Sequence, residues 1–300
     1  MKLLLCGDMA AAEWAVWRAA LAAAMPEAEW LDRASALAAA DEVQAAVVAN
    51  PPPGSLQGLP RLRLVQSLWA GVDRLLADPT LPPEVPVARM VDPAMTAAMA
   101  ETALWATLAL HRGFFAYGRR QARGEWRVHA QRRADEIGVL VLGQGEMGRA
   151  AAARIAAQGY RVHGWRRDGG ALAPLLGRAQ VLINLLPLTP ATRGLLDAKL
   201  FAALPPGAGV VNLGRGAHVV DADLLAALDA GHLGQAVLDV FHQEPLPADH
   251  AWWRHPRVAL LPHAAALTDP RSAAAVAVAN LRALRDGGVL VHRVSRQRGY

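Results

Sequence analysis

Short apolar runs alternate with longer helical stretches in the first part of the chain. The apolar runs predict strands at Lys2–Cys6, Val43–Val48, Leu62–Ser67 and Val85–Arg89, and the Ala-rich stretch Ala10–Ala24 predicts a helix. Strands that alternate with helices in this way are typical of an α/β layer with a largely parallel sheet. We therefore predict one α/β unit in this part of the chain.

The second part shows the same alternation over a longer stretch. A helical pattern from Met95 to Arg119 and an Arg-rich connector, Arg119–Arg133, come first, and a final helix at Asp269–Leu284 is expected to pack back on the first unit. Six strands at this spacing are what a doubly wound dinucleotide-binding sheet requires. They are predicted at Ile137–Leu142, Arg161–Trp165, Val181–Leu186, Gly209–Leu213, Gln235–Asp239 and Val258–Leu261.

The predicted fold class is therefore α/β, with two doubly wound parallel-sheet domains and a cleft between them. The first domain is expected to span residues 1–93 and to be completed by the C-terminal segment 270–300. The second is expected to span residues 94–269 and to bind a dinucleotide.

Composition narrows the classes of protein to which the chain can belong. Apolar residues make up 53% of its 300 residues and charged residues 19%, which supplies a packed core and argues against a disordered chain. The formal net charge is +5, but no run of Lys and Arg is interleaved with aromatic residues, so we expect no nucleic acid partner. A positive net charge instead suits a protein that binds anionic ligands.

Neither a membrane anchor nor a metal site is indicated. No apolar run approaches the ~18 residues of a membrane helix, and the apolar start of the chain is closed by Asp8. We therefore expect a cytoplasmic protein without a membrane partner. Cys6 is the single cysteine, which excludes an internal disulfide and any metal site built on several cysteines, and we predict no bound metal.

A glycine-rich turn follows the first strand of the second domain. Gly143, Gly145 and Gly148 form a G-x-G-x-x-G that comes directly after a buried strand and opens a helix. In such a turn Gly143 permits the tight bend, Gly145 lets the backbone approach a pyrophosphate, and Gly148 lets the helix pack on the strand. The helix N-terminus adds free N–H groups for the phosphates. We predict that this turn binds a dinucleotide.

The end of the next strand bears on which dinucleotide is bound. Arg166 and Arg167 follow Trp165, and two guanidinium groups suit the 2′-phosphate of NADP. Asp168 comes next and would suit the ribose hydroxyls of NAD, because a carboxylate accepts their hydrogen bonds and repels a 2′-phosphate. Both interpretations stay open at this point. We favour NADPH, with NADH as the alternative.

Three later segments carry side chains that suit a 2-oxo acid. Arg215 lies in "VVNLGRGAHVVD", Glu244 in "LDVFHQEPL" and His263 in "LLPHAAALT", each at or just beyond the carboxyl end of a predicted strand, where open α/β sheets bind ligands. The Arg would fix a carboxylate and polarise the carbonyl, and the His would donate a proton to the carbonyl oxygen. The Glu would hold the imidazole and keep it protonated. We predict these three as the catalytic residues.

Together these segments resemble the D-isomer-specific 2-hydroxyacid dehydrogenase family, whose signatures include N-x-x-R-G, D-V-F-x-x-E-P and P-H-x-A. The resemblance covers essentially the whole chain, and "WRHPRVALLPH" and the closing "RQRGY" are similar to the glyoxylate/hydroxypyruvate reductase A branch, which prefers NADPH. It implies a Rossmann-type cofactor domain and a flavodoxin-like substrate domain. It also implies reduction of glyoxylate or hydroxypyruvate to the 2-hydroxy acid with NADPH.

The resemblance also assigns binding residues. "LWAGVD" is similar to the family's substrate loop, whose backbone amides bind the substrate carboxylate, and that role falls to Ala70 and Gly71. "VLINLLPLTPATRGLL" is similar to the loop beside the nicotinamide ribose. The Arg-rich connector would embrace a second subunit, so we expect a homodimer. The residues expected to bind the cofactor are Gly143, Gly145, Glu146, Met147, Gly148, Trp165, Arg166, Arg167, Leu186, Pro187, Leu213, Gly214 and Asp239.

Two other functions remain open from the sequence. One is a 2-oxo acid reductase of broader specificity, which would act on phenylpyruvate or 2-ketogluconate. It stays open because the loops that fit the substrate side chain cannot be placed from sequence. A nucleotide-sensing corepressor on the same fold would keep the NAD(H) site without catalysis. Nothing in the chain resembles the added interaction tail that such a protein would use.

Overall fold

The computed structural model describes all 300 residues, which form two compact units. Unit 1 comprises Met1–Met95 and Thr268–Tyr300, and unit 2 comprises Thr96–Leu267. Each unit contains one sheet in which every strand pairs in parallel with its neighbours. The predicted fold class, two parallel-sheet α/β domains, is confirmed.

Unit 1 is built on a five-stranded sheet. Its strands are β1 (Lys2–Gly7), β2 (Glu29–Leu31), β3 (Val43–Ala49), β4 (Leu64–Ser67) and β5 (Val87–Ala88). They lie in the order β2-β1-β3-β4-β5, which is that of a flavodoxin-like sheet. The connecting helices are α1 (Ala11–Ala24), α2 (Arg33–Ala38) and α3 (Asp73–Leu76).

Four of these five strands were predicted, and β2 was not. This strand has three residues, and only Leu31 is buried, so its sequence carries no alternation that could predict a strand. It pairs with β1 at the edge of the sheet. Its place in the order of strands was therefore visible only in the structure.

Unit 2 is built on a six-stranded sheet, and all six predicted strands are present. They are β6 (Gly138–Leu142), β7 (Arg161–Trp165), β8 (Val181–Asn184), β9 (Ala208–Asn212), β10 (Leu233–Leu238) and β11 (Val258–Leu260). Their order is β11-β10-β9-β8-β6-β7. The order of strands reverses between β6 and β8, and ligands bind at such a switch point in doubly wound sheets.

Strand β6 shows why this sheet has unbroken apolar runs. Leu140 and Leu142 pack into the apolar core on one face of the sheet, and Val139 and Val141 pack into the core on the other face. All four side chains are buried. A strand covered on both faces needs apolar residues at every position, so its sequence does not alternate.

The long helix predicted from Met95 to Arg119 is two helices, and this prediction was wrong. The structure has α4 (Pro93–His111) and α5 (Phe114–Gln121), separated at Gly113. Gly113 has φ +69°, a left-handed conformation that ends a helix and favours glycine. The residues after α5 carry Trp126, whose side chain is fully exposed.

The remaining helices complete the two units. Unit 2 contains α6 (Glu146–Ala156), α7 (Ala173–Leu176), α8 (Ala198–Ala202) and α9 (Asp221–Asp229). The last helix, α10 (Pro270–Asp286), packs against α1 and β4 in unit 1. None of the helices combines the length and the apolar character that a membrane span requires.

Candidate active site

The predicted catalytic side chains lie at the carboxyl ends of three adjacent strands in unit 2. Arg215 follows β9, Glu244 follows β10 and His263 follows β11, and these strands are neighbours in the sheet. Parallel strands end at the same edge, so the turns that follow them meet there. The structure therefore brings the three side chains to one region.

His263 and Glu244 are in direct contact. Nδ1 of His263 donates a hydrogen bond to Oε2 of Glu244 over 2.7 Å, and Oε1 of Glu244 accepts one from the backbone N–H of Phe241 over 2.9 Å. The side chains are part-exposed, at 51% for His263 and 36% for Glu244, so a ligand can reach the imidazole. This contact uses Nδ1 and leaves the second ring nitrogen, Nε2, unused.

This contact shifts the pKa of both groups. The hydrogen bond to Glu244 raises the pKa of His263 above its usual value, against the opposing effects of burial and of the Arg215 charge. Burial works to raise the pKa of Glu244, but the hydrogen bonds from His263 and Phe241 N outweigh it and bring that pKa below its usual value. The pair therefore favours a protonated imidazole beside an ionised carboxylate.

Asp239 shapes the turn that carries His263. Its Oδ1 accepts hydrogen bonds from the backbone N–H groups of Ala264, over 2.7 Å, and Ala265, over 3.0 Å. Its backbone oxygen accepts a third from His263 N, over 2.8 Å. His263 has φ +53°, which a non-glycine residue adopts only when its surroundings hold it. Burial raises the pKa of Asp239, although these N–H groups and His263 act to lower it.

Arg215 lies close to the His263–Glu244 pair. Its positive charge acts to lower the pKa of both partners. The side chain is half-buried, and its Nη1 donates to the backbone oxygen of Gly214 over 2.7 Å. A fixed cation beside a protonated imidazole suits a substrate that carries a carboxylate and a polarisable carbonyl.

The three glycines of the predicted phosphate turn differ in what surrounds them. Gly143 has φ +99°, which only glycine adopts readily, and the backbone N–H of Gly143 donates to Trp165 O. A Cβ on Gly148 would lie 1.8 Å from the oxygen of Gly143, so helix α6 can approach β6 only with glycine there. A Cβ on Gly145 would meet no atom within 4 Å. Gly145 thus borders open space, and the turn fits a pyrophosphate that approaches its backbone.

Residues at the start of α6 lie around this open space. Glu146 is exposed and forms an ion pair with Arg149, one turn further along the helix. Met147 is half-buried and packs against the apolar core. The N-terminus of this helix presents free N–H groups, which attract an anion.

The residues after β7 are arranged as a small exposed turn. Trp165 is buried, and its Nε1 donates to Gly170 O over 2.9 Å. Arg166 pairs with Asp168 through a contact of 3.2 Å, and both side chains are mostly exposed. Arg167 is exposed as well. The carboxylate of Asp168 is thus paired with Arg166, and Arg167 adds a second guanidinium at this end of the strand.

Two loops beside Arg215 are joined by buried polar groups that the sequence analysis missed. Asn184 and Asn212 end strands β8 and β9, and with His218 they have no exposed surface. Nδ2 of Asn184 donates to Oδ1 of Asn212 over 2.8 Å. The signal available in the sequence was a polar amide at the end of each wholly apolar strand. The predicted cofactor residues Leu186, Pro187, Leu213 and Gly214 lie in these two loops.

Ala70 and Gly71 are in unit 1, in the turn between β4 and α3. Their backbone N–H groups donate no backbone hydrogen bond within that unit. Two consecutive free N–H groups can bind an anion such as a carboxylate.

Comparison with known proteins identifies a family that this chain resembles. A model of the NAD-binding domain of D-isomer specific 2-hydroxyacid dehydrogenases matches residues 104–265. Glyoxylate/hydroxypyruvate reductase A of Serratia proteamaculans is 43% identical over 259 residues, which cover 81% of this chain and 83% of that protein. The protein of the same name from Yersinia enterocolitica is 38% identical over 272 residues, which cover 85% and 87% of the two chains.

Solved structures of related proteins superpose on this chain over its full length. A D-isomer specific 2-hydroxyacid dehydrogenase from Xanthobacter autotrophicus, crystallised with NADPH and MES, is 37% identical and superposes with a TM-score of 0.93 over 100% of this chain and 99% of that one. An NADPH-dependent glyoxylate/hydroxypyruvate reductase from Sinorhizobium meliloti, crystallised with NADP and sulfate, is 34% identical with a TM-score of 0.92 over 100% and 99% of the two chains.

Proposed function

The chain belongs to the D-isomer specific 2-hydroxyacid dehydrogenase family, and from that membership we propose that it reduces a small 2-oxo acid, glyoxylate or hydroxypyruvate, to the 2-hydroxy acid with NADPH. The observation that carries this proposal is the 2.7 Å contact between His263 and Glu244 beside the charge of Arg215. A proton donor and a carboxylate-binding cation in one place are what reduction of a 2-oxo acid needs.

NADPH, when bound, supplies the hydride. The N-terminus of α6 and the open side of Gly145 would hold its pyrophosphate, and Arg166 and Arg167 would hold its 2′-phosphate. The choice of NADPH over NADH is supported by the ion pair of Asp168 with Arg166 and by the NADPH and NADP in the two related structures. The loop residues Leu186, Pro187, Leu213 and Gly214, with Asp239, would line the nicotinamide end.

Residues of the chain itself would bind the substrate and supply the proton. Arg215 would bind the substrate carboxylate and polarise the carbonyl that is reduced, and Nε2 of His263 would donate a proton to the carbonyl oxygen. Glu244 would keep the imidazole protonated and fix its orientation through the hydrogen bond at Nδ1. In unit 1, the backbone N–H groups of Ala70 and Gly71 would bind an anion such as a carboxylate.

A substrate panel tests this proposal. The wild-type protein is mixed with glyoxylate, hydroxypyruvate, phenylpyruvate or 2-ketogluconate, each with NADPH and with NADH, and oxidation is followed at the nicotinamide absorbance band. The proposal expects the highest kcat/KM for glyoxylate or hydroxypyruvate with NADPH. A preference for the two larger acids would favour the broader reductase, and no turnover with any acid would contradict the enzymatic function.

We also propose that the protein is a cytoplasmic homodimer. The assembly is supported by exposed apolar side chains on α4, α5 and the connector that follows: Trp105, Phe114, Trp126 and Val128. Monomeric proteins rarely expose such a set together. Light scattering at micromolar concentration tests the assembly, and a monomer mass would contradict it. Fractionation of the source cells tests the location.

A further inference from the structure

His218 is a wholly buried histidine that the proposed chemistry does not use. Its Nδ1 lies 2.8 Å from Nδ2 of Asn184 and 3.2 Å from the backbone N of Arg215. Its Nε2 lies 3.3 Å from the backbone oxygen of Pro187. The imidazole thus reaches from the loop after β9, which carries Arg215, to the loop after β8, which carries Pro187.

The partners fix the protonation of this ring. Asn184 Nδ2 and Arg215 N can only donate, so Nδ1 of His218 must accept from both. The oxygen of Pro187 can only accept, so Nε2 must carry the proton. The imidazole is therefore neutral, with its hydrogen on Nε2, and a proton on Nδ1 would face two donors.

The same buried groups hold the backbone of Arg215 on both sides. The N–H of Arg215 donates to Nδ1 of His218, and its C=O accepts from Nδ2 of Asn212 over 2.9 Å. The oxygen of Pro187 has a second donor, the hydroxyl of Thr192, at 2.8 Å. The backbone of Arg215 is thus held by two side chains from the interior of unit 2, His218 and Asn212.

We propose that His218 is the positioning residue for Arg215, because its Nδ1 accepts the hydrogen bond of the Arg215 backbone N–H. The proposal rests on the proposed function, because it takes Arg215 as the group that binds substrate. Displacement of a substrate-binding group by roughly 1 Å can cost about a hundredfold in rate, so a buried acceptor for the Arg215 N–H has catalytic value.

Two substitutions of His218 test its two ring nitrogens separately. In His218→Asn, the amide oxygen stands close to the place of Nδ1, so the acceptor for Arg215 N is kept and the donor to Pro187 is lost. In His218→Gln, the amide nitrogen reaches towards the place of Nε2, so the donor is kept and the acceptor is lost. Pro187 O retains its bond from Thr192 in both variants.

The expected results differ accordingly. For glyoxylate with NADPH, His218→Gln should lower kcat and raise KM, with kcat/KM reduced roughly tenfold to a hundredfold, whereas His218→Asn should stay within about threefold of wild type. The Kd for NADPH, measured by fluorescence, should be nearly the same in both. The control His232→Gln, in which the histidine Nε2 contacts Phe201 O elsewhere in unit 2, should retain wild-type kinetics.

A double-mutant cycle distinguishes positioning from a general structural effect. In the Arg215→Lys background, His218→Gln should cost little more, because the planar guanidinium that it positions is already gone. Equal losses in His218→Asn and His218→Gln, or a full additional loss in the Arg215→Lys background, would overturn the positioning role alone. If Arg215→Lys by itself leaves glyoxylate reduction intact, the proposed function fails as well.

A measurement on the wild-type protein covers the case in which His218→Gln does not fold. Nitrogen NMR of histidine-labelled protein reports the tautomer of each ring, and the His218 signals are assigned by their loss in His218→Asn. The inference expects a neutral ring with the proton on Nε2. A ring with its proton on Nδ1, or a charged ring, would overturn it.

Discussion

Nδ1 of His263 donates a hydrogen bond to Oε2 of Glu244 over 2.7 Å, although the two residues follow different strands of the sheet. The contact uses Nδ1, so Nε2 is left as the ring nitrogen that can give a proton to a ligand. Because the carboxylate favours the charged imidazole, this contact raises the pKa of His263. This charge state suits the roles that we propose for the pair, a general acid and its partner.

Removal of the carboxylate should shift the pH dependence of reduction. In the proposed mechanism His263 acts in its protonated form, so the rate should fall as pH rises through the pKa of His263, which Glu244 raises. In Glu244→Gln the neutral amide no longer stabilises the imidazolium, so the falling limb of kcat/KM for glyoxylate should move to lower pH. The control Glu101→Gln, an exposed carboxylate near Arg154, should leave the profile unchanged. An unaltered profile in Glu244→Gln would refute the pairing.

Arg215→Lys should raise KM for glyoxylate and lower kcat together. A guanidinium presents parallel donors to a carboxylate and a carbonyl, which an ammonium cannot copy, and polarisation of the carbonyl grows in the transition state. We expect a combined loss in kcat/KM of roughly tenfold or more. Steady-state kinetics and NADPH titration check this. Intact reduction combined with lost NADPH binding would make Arg215 a cofactor residue.

Substitution of two glycines in the same turn should have different effects, one on stability and the other on cofactor binding. Gly148→Ala would put a Cβ 1.8 Å from the oxygen of Gly143, so helix α6 must move away from β6 and the melting temperature should fall by several degrees. Gly145→Ala meets no protein atom within 4 Å, so its melting temperature should match wild type. Its KM for NADPH should nevertheless rise, since the added methyl group obstructs the pyrophosphate. Wild-type NADPH binding in Gly145→Ala would argue against a phosphate at this turn.

Cofactor choice should depend on the two arginines after β7. The variant with Arg166→Ala and Arg167→Ala should raise KM for NADPH about tenfold or more and leave KM for NADH nearly fixed, because only NADPH carries the 2′-phosphate. The effect should shrink with added salt, since both arginines are exposed. The control Arg61→Ala with Arg63→Ala removes the same charge from exposed positions in unit 1. Wild-type preference for NADH, abolished by Asp168→Ala, would assign the ribose to Asp168 instead.

Uniform burial made some of the elements predictable from the sequence. Strand β6 is covered on both faces, so its continuous apolar run identified it. The break between α4 and α5 was missed because the apolar pattern continues through Gly113, while a single residue with φ +69° ends the helix. Short β2 was missed because three residues carry no periodicity.

The site was predictable where a short motif holds both the residue and its place on a strand end. In this way the positions of Arg215, Glu244 and His263 beyond three strand ends could be predicted, and their catalytic roles stay a proposal. Contacts between loops could not, because they join residues far apart in the sequence, as Asn184 and His218 do. The sequence predicted a cofactor contact for Asp239. Its hydrogen bonds to the turn of His263 could not be predicted, because they depend on the paths of two loops.

The central claim is that His263 gives the proton, and His263→Ala tests it most directly. Turnover of glyoxylate with saturating NADPH should fall by about 10²–10⁴-fold, the usual contribution of a positioned general acid. Binding of NADPH, titrated in the same preparation, should be retained because the glycine turn is intact. The control His242→Ala removes a half-exposed histidine from a nearby loop and should keep near-normal turnover. Near-normal turnover in His263→Ala would contradict the account.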